Sequence, residues 1–345
     1  MDSDPGPTTL AQRLTAVFRR TGADLPGGDP RPTHGASMEG WFWRFTDEPR
    51  GTVVLALCGV NRHPDGDWAT VAVSAHPGGV VRSAAVDDAH ADADHYRVVA
   101  GSALVADEHR LRVDLGDVRL DVTLDDLVGW PMRLGAGGIF SAVPGLGQYW
   151  HPHVLDGRAH GTLVLPGTEI TLDASRVYAE KNWGAGFPDR WWWGQAQGFR
   201  DPTITVAFGG GRLTAGPFGR DITGCVVRLG PRVLRFSPPG ARVRIDVRDG
   251  HWHVDARRRH WRMVLDGGAD GTPPAILPVP LPAERRNVNR DFEHLAGRLR
   301  VRLWHCGGLV VDDESRLAAL EVGTTDLPGA RALAADFGAA ESGVD

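Results

Sequence analysis

The chain is nearly devoid of lysine. Lys181 is the single lysine among 38 lysine and arginine residues in 345. Asn182 follows it, so the GxxxxGK[ST] phosphate loop is excluded. Cysteines are as scarce: Cys58, Cys225 and Cys306 are odd in number, far apart and without a CxxC pair. Neither a disulfide framework nor a zinc-thiolate site is expected, which suits a reducing compartment. No apolar run approaches 18 residues, and the first residues lack a signal-peptide pattern, so a cytosolic location is the expectation. The net charge of −5 offers no footprint for nucleic acid, and Arg257-Arg-Arg259 reads as a solvated strand end. GxSxG, HExxH and a GxGxxG following a strand are all missing, and Gly209-Gly-Gly211 reads as a turn. His151-Pro-His153 and His251-Trp-His253 each place two imidazoles on one strand face, but no Cys or carboxylate accompanies them at ligand spacing. Neither a metal nor a nucleotide cofactor is expected.

What is present is a globular composition, 42% hydrophobic and 23% charged, with 45 glycines and 24 prolines. The length allows two domains of ordinary size. Leu10, Leu14, Val17 and Phe18 recur at helical spacing opposite Arg13, Arg19 and Arg20, predicting a short amphipathic helix ended by Gly22. Such a helix docks on its own protein or, less often, makes peripheral contact with a membrane. From Trp41 onward short alternating runs predict strands at 53–57, 69–73, 111–115, 118–122, 243–247, 252–254, 299–304 and 317–322, with hairpin turns at Gly116-Asp117 and Asp249-Gly250. No βαβ alternation is visible, which excludes Rossmann and TIM-barrel folds and leaves antiparallel β-sandwiches or barrels. Pro273, Pro274, Pro278, Pro280 and Pro282 predict a long connection. The expected divisions are an N-terminal helix and linker (1–32), a first β domain (33–183), a second (184–328) and a flexible tail (329–345).

Lys181 lies in Tyr178-Ala-Glu-Lys-Asn-Trp-Gly-Ala-Gly-Phe-Pro-Asp-Arg-Trp-Trp-Trp193, which carries four of the twelve tryptophans. As a strand, it presents Tyr178, Glu180 and Asn182 on one face and Lys181 with Trp183 on the other, so Glu180 and Lys181 cannot pair without a bulge. After the Gly-Pro turn Trp191, Trp193, Gln195 and Gln197 share a face. The small residues Gly194, Ala196 and Gly198 leave room on theirs for a ligand or a packed backbone. Residue types alone admit two accounts: a tryptophan-rich joint between domains with a salt bridge at its edge, or a ligand site.

The motif Tyr178-Ala-Glu-Lys-Asn-Trp-Gly-x-Gly-Phe-Pro-x-x-Trp-x-Trp-x-Gln195 resembles the signature of the tocopherol cyclase family. Glu39-Gly-Trp-Phe-Trp-Arg44, Gly129-Trp-Pro131, Tyr149-Trp150 and Ala318-Ala-Leu-Glu-Val-Gly323 extend the resemblance in order over roughly residues 33–325. It implies an all-β fold of two tandem lipocalin-like antiparallel barrels, related in outline to carotenoid 1,2-hydratases. It also implies cofactor-independent cyclisation of a prenylated hydroquinone: a proton adds to the prenyl alkene, and a phenol oxygen closes on the tertiary carbon. The partner would then be a hydrophobic small molecule.

That chemistry needs a carboxylic acid kept un-ionised by burial. Glu180 and Glu39 fit, with Asp189 on the turn a weaker candidate. Indole faces stabilise a tertiary cation by on the order of 2 kcal/mol each when desolvated. Trp41, Trp183, Trp191 and Trp193 are candidates for that role, and Trp43, Trp150, Phe187 and Gln195 are further candidate substrate contacts. The phenol proton falls to Tyr178, His151 or Asn182. Lys181 either holds a quinol oxygen or holds a carboxylate at the barrel junction. Two alternatives stand beside the cyclase: a hydratase or other terpenoid or polyketide cyclase on the same fold, and a carrier with no chemistry.

Overall fold

In a computed structural model the chain is almost wholly antiparallel β. It describes residues 10–215, 218–248, 250–269, 271, 273–337 and 343–344. The predicted N-terminal helix spans Leu10–Arg19, and Gly22 leaves it with φ +88°. A Cβ at Gly22 would stand 2.4 Å from the Tyr149 ring, so both the backbone turn and the close ring favour glycine there.

The first sheet has eleven strands. From edge to edge they are Val80–Asp87, Trp68–His76, Thr52–Asn61, Met38–Asp47, Thr168–Gly184, Gln148–Leu165, Arg119–Gly129, Arg110–Asp114, Leu104–Asp107, Arg97–Ala100 and Ala89–Ala91. Its two edge strands are consecutive in the chain, joined through Asp88, so the sheet curls until its ends meet. The second sheet repeats the device. Its path runs Arg232–Phe236, Phe218–Leu229, Ile204–Ala215, Arg190–Ala196, Gly308–Thr324, Arg286–His305, Trp261–Gly268, His251–Arg258 and Arg242–Arg248. Again the edge strands are chain neighbours, so this sheet also curls into a nearly closed barrel. One apolar cluster, with Trp41, Trp43 and Phe45, fills the first curl, and another, with Phe208, Phe236 and Trp252, fills the second. A smaller cluster containing Tyr178, Trp193 and Leu155 joins the two between their facing sides.

The Gly116 turn is present, with Leu115 N–H donating to Val118 O at 2.9 Å. Of the Asp249-Gly250 turn, Asp249 lies outside the described residues, as do residues 1–9 of the N-terminal segment. Three expectations are corrected. The proline-rich connection contains a strand, Ala275–Leu281, which pairs only with Arg286–His305. A strand with one neighbour tolerates Pro278 and Pro280, whose missing N–H groups can face away from the ladder. Gly209-Gly-Gly211 lies inside strand Ile204–Ala215, where it is not a turn. Part of the expected tail, Leu327–Asp336, is helical and capped by Asp326, whose side chain accepts from Gly329 N–H.

Candidate active site

Strand Thr168–Gly184 carries the motif across the boundary between the two layers, and its alternation separates two constellations. On one face Tyr178 Oη donates to Glu180 Oε2 at 2.6 Å, and Trp193 Nε1, from the first strand of the second sheet, donates to the same oxygen at 3.0 Å. The Trp150 indole approaches the same carboxyl, but its N–H closes no hydrogen bond. Burial raises Glu180 from the ordinary carboxylate range; the Tyr178 and Trp193 donors, with the Trp150 indole nearby, pull the other way, and it settles at about 7. Oε2 accepts both bonds, which favours it as the carbonyl-like oxygen of the neutral acid. The acidic proton then belongs on Oε1.

The opposite face holds Lys181. Its Nζ lies 2.7 Å from Glu39 Oε2, donates to Pro32 O at 2.8 Å, and sits 4.7 Å and 5.1 Å from the Trp41 and Trp183 ring centroids. Glu39 also accepts from Thr33 Oγ1 and from the backbone N–H groups of His34, Gly35 and Ala36. Burial alone would raise Glu39, but the Lys181 charge and these donors outweigh it and hold the carboxyl well below its usual range. Glu39 thus holds residues 32–36 as a carboxylate, and it does not line the cavity between the two sheets. Lys181 faces a carboxylate and does not line that cavity either.

A cavity of about 210 Å³ lies between the sheets. Of the residues singled out from sequence, Glu180, Asn182, Trp41, Trp150, Phe187, Trp191 and Trp193 line it. The others lie elsewhere. Tyr178 is buried behind Glu180. Trp43 belongs to the first core, and Trp183 stacks between His34 and Tyr149 while donating to Gly22 O. Gln195 accepts from Arg44 at 2.8 Å in a buried contact. His151 packs edge-on to Trp130, and burial lowers it to about 4, so the ring is neutral. Asp189 is exposed.

Glycines make the space for these aromatics. A Cβ at Gly209 would press on the Trp193 and Trp150 rings at 3.3 and 3.4 Å, one at Gly210 would reach Trp192 Nε1 at 2.6 Å, and one at Gly323 would stand 2.0 Å from the Trp191 ring. The small side at Gly194 serves the second core, because its Cβ would meet Phe208 at 2.4 Å. That is the packed alternative, not the ligand one.

Sequence reasoning missed three buried carboxyls in the second sheet: Asp291, Glu293 and Glu321. Asp291 and Glu321 line the cavity. Glu321 is the cross-strand partner of both Trp193 and Glu293, and Trp191 Nε1 donates to its Oε1. Burial raises Glu321 to about 7, helped by the nearby Glu180 and opposed by the Trp191 and Asp291 donors. Burial together with the Glu321 and Glu293 charges pushes Asp291 well above its usual range. The available signal was an acidic residue inside the apolar run Leu317-Ala-Ala-Leu-Glu-Val322.

The sequence model of the family described as "Tocopherol cyclase-like" matches residues 98–324, about two thirds of the chain. The chain belongs to the tocopherol cyclase-like family. It is similar to the Zea mays protein named "Tocopherol cyclase, chloroplastic", 23% identical over 220 residues covering 59% of this chain and 46% of that one. The chain thus matches a little under half the length of this curated relative. Among solved structures, CghA aligns with a TM-score of 0.55 at 10% identity over 88% of this chain and 95% of that one. Kievitone hydratase from Nectria haematococca aligns at 0.51 and 9% identity, over 88% and 96%. These likenesses are of fold, a tandem lipocalin-like β architecture.

Proposed function

We propose that this chain is a cyclase acting on a prenylated hydroquinone or a related prenylated aromatic. The observation that carries the reading is Glu180: a carboxyl raised to about 7 at the wall of an aromatic cavity, with both recorded donors on Oε2. A neutral carboxylic acid in that setting protonates an alkene from Oε1. The Trp150, Trp191 and Trp193 indoles around the cavity stabilise the resulting tertiary cation, and the apolar wall keeps water from capturing it. The phenol oxygen of the same substrate then closes the ring. The addition is internal and redox-neutral, so substrate and product are isomers.

Family membership and the matched maize relative support the same reaction class. A carrier has no use for a buried, un-ionised acid at its ligand wall, so Glu180 favours an enzyme. The test is incubation of the purified protein with prenylated hydroquinones of graded chain length. A product of unchanged mass that has lost its alkene supports the cyclase. A product heavier by one water makes the protein a hydratase, and binding without conversion makes it a carrier.

A further inference from the structure

Ring closure must also remove a proton, from the phenol oxygen as it bonds to carbon. None of the three candidates read from the sequence suits that step. Tyr178 is turned into Glu180 and held protonated by burial and by that carboxyl. His151 does not line the cavity, and Asn182 is an amide with no basicity. The cavity wall contributed by the second sheet supplies what is missing.

Asp291 and Glu321 stand on adjacent antiparallel strands, both facing the cavity and hydrogen-bonded to each other. Trp191 Nε1 donates to Glu321 Oε1. Trp191 and Asp291 thus both donate to Glu321, and the pair shares a proton carried by Asp291. Trp193, which donates to Glu180, is the cross-strand neighbour of Glu321. The two carboxyl systems therefore flank one indole, one from each sheet.

Resting on the cyclase reading, we propose that the Asp291–Glu321 pair is the proton acceptor for ring closure. The phenol O–H donates to a carboxyl oxygen of the pair. As the oxygen lone pair forms the C–O bond, the O–H bond breaks and its proton passes into the pair, leaving one proton on each carboxyl. Glu180 has meanwhile given its proton to the alkene carbon. The enzyme ends with Glu180 ionised and Glu321 neutral, and transfer of one proton through water at the cavity mouth restores the starting state. The substrate class that this arrangement selects is one whose hydroxyl reaches the second-sheet wall while its alkene faces Glu180.

The test compares the native protein with Glu321→Gln and Asp291→Asn in deuterated water on a prenylated hydroquinone. Protonation at Glu180 survives in both variants while capture stalls, so cyclisation slows by about 10²–10⁴-fold. The cation then returns a proton to Glu180, and recovered substrate carries deuterium in its prenyl chain. Cyclisation at the native rate in either variant overturns the proposal. So does loss of cyclisation and of deuterium exchange together in a variant with unchanged melting temperature, since that places the pair at the first step. Where Glu321→Gln fails to fold, Asp291→Asn decides by the same two readings. Failure of the native protein to cyclise any of the substrates removes the cyclase reading itself, and the acceptor role falls with it.

Discussion

Lys181 Nζ and Glu39 Oε2 form a 2.7 Å ion pair with both side chains essentially sealed from water. The chain's single lysine thus neutralises the carboxylate that holds residues 32–36 against the first sheet, one residue from Glu180 but on the other side of the strand. A compact ammonium suits this place because it must donate to Pro32 O and face two indoles at once.

Removing one partner of this pair strands a buried charge. Lys181→Met should therefore lower stability by about 3–5 kcal/mol, whereas Lys181→Met with Glu39→Leu should recover most of that loss. Denaturant midpoints of the four proteins in the cycle measure it. Equal stability of single and double variants would show that the pair is not the clamp.

Glu180→Gln preserves shape and removes the transferable proton. Turnover should fall by about 10²–10⁴-fold with little change in substrate affinity or melting temperature. Full activity in this variant would return the motif to a structural joint and leave a carrier as the better reading.

The pH dependence follows from the sign of the Glu180 shift. Its carboxyl is raised from 4.5 to about 7 in the folded protein, so the native state keeps a proton that the unfolded chain releases within that window. Stability contributed by this group is present at low pH and declines as pH rises from about 4.5 through about 7. Turnover should decline over the upper part of the same range, because only the neutral acid donates. A rate that climbs through pH 7 would contradict Glu180 as the donor.

Much of this was readable from the residues. Alternation in runs such as Leu111–Leu115 and Val243–Val247 identified strands, because a sheet with one packed face imposes period two. The motif's spacing placed Glu180 and Lys181 on opposite faces before any contact was known. What stayed hidden depended on pairing between distant segments. Nothing local to Gly209–Gly211 says that Trp150, Trp192 and Trp193 need the space above it, so the run read as a turn. Asp291 and Glu321 are thirty residues apart and meet only because their strands pair. Glu39 and Glu180 looked alike in their aromatic surroundings. The Lys181 charge beside Glu39, with no cation beside Glu180 to oppose its burial, sets their ionisation apart.

Tyr178 tests whether Glu180 is tuned as well as placed. Its hydroxyl donates to Oε2 at 2.6 Å, a bond that stabilises the carboxylate more than the acid and so holds the Glu180 pKa below what burial alone would impose. Tyr178→Phe removes that donor from a buried site and leaves Trp193 Nε1 on the same oxygen. The Glu180 pKa should rise further, and the alkaline fall of the rate profile should move to higher pH. The low-pH rate should change only modestly, because the neutral acid remains in place and a weaker acid transfers its proton somewhat more slowly. A purely structural role for Tyr178 would lower the rate by a similar factor at every pH. A pH profile of Tyr178→Phe beside the native protein separates the two, and an unmoved alkaline limb would show that this hydroxyl does not set the acid strength of Glu180.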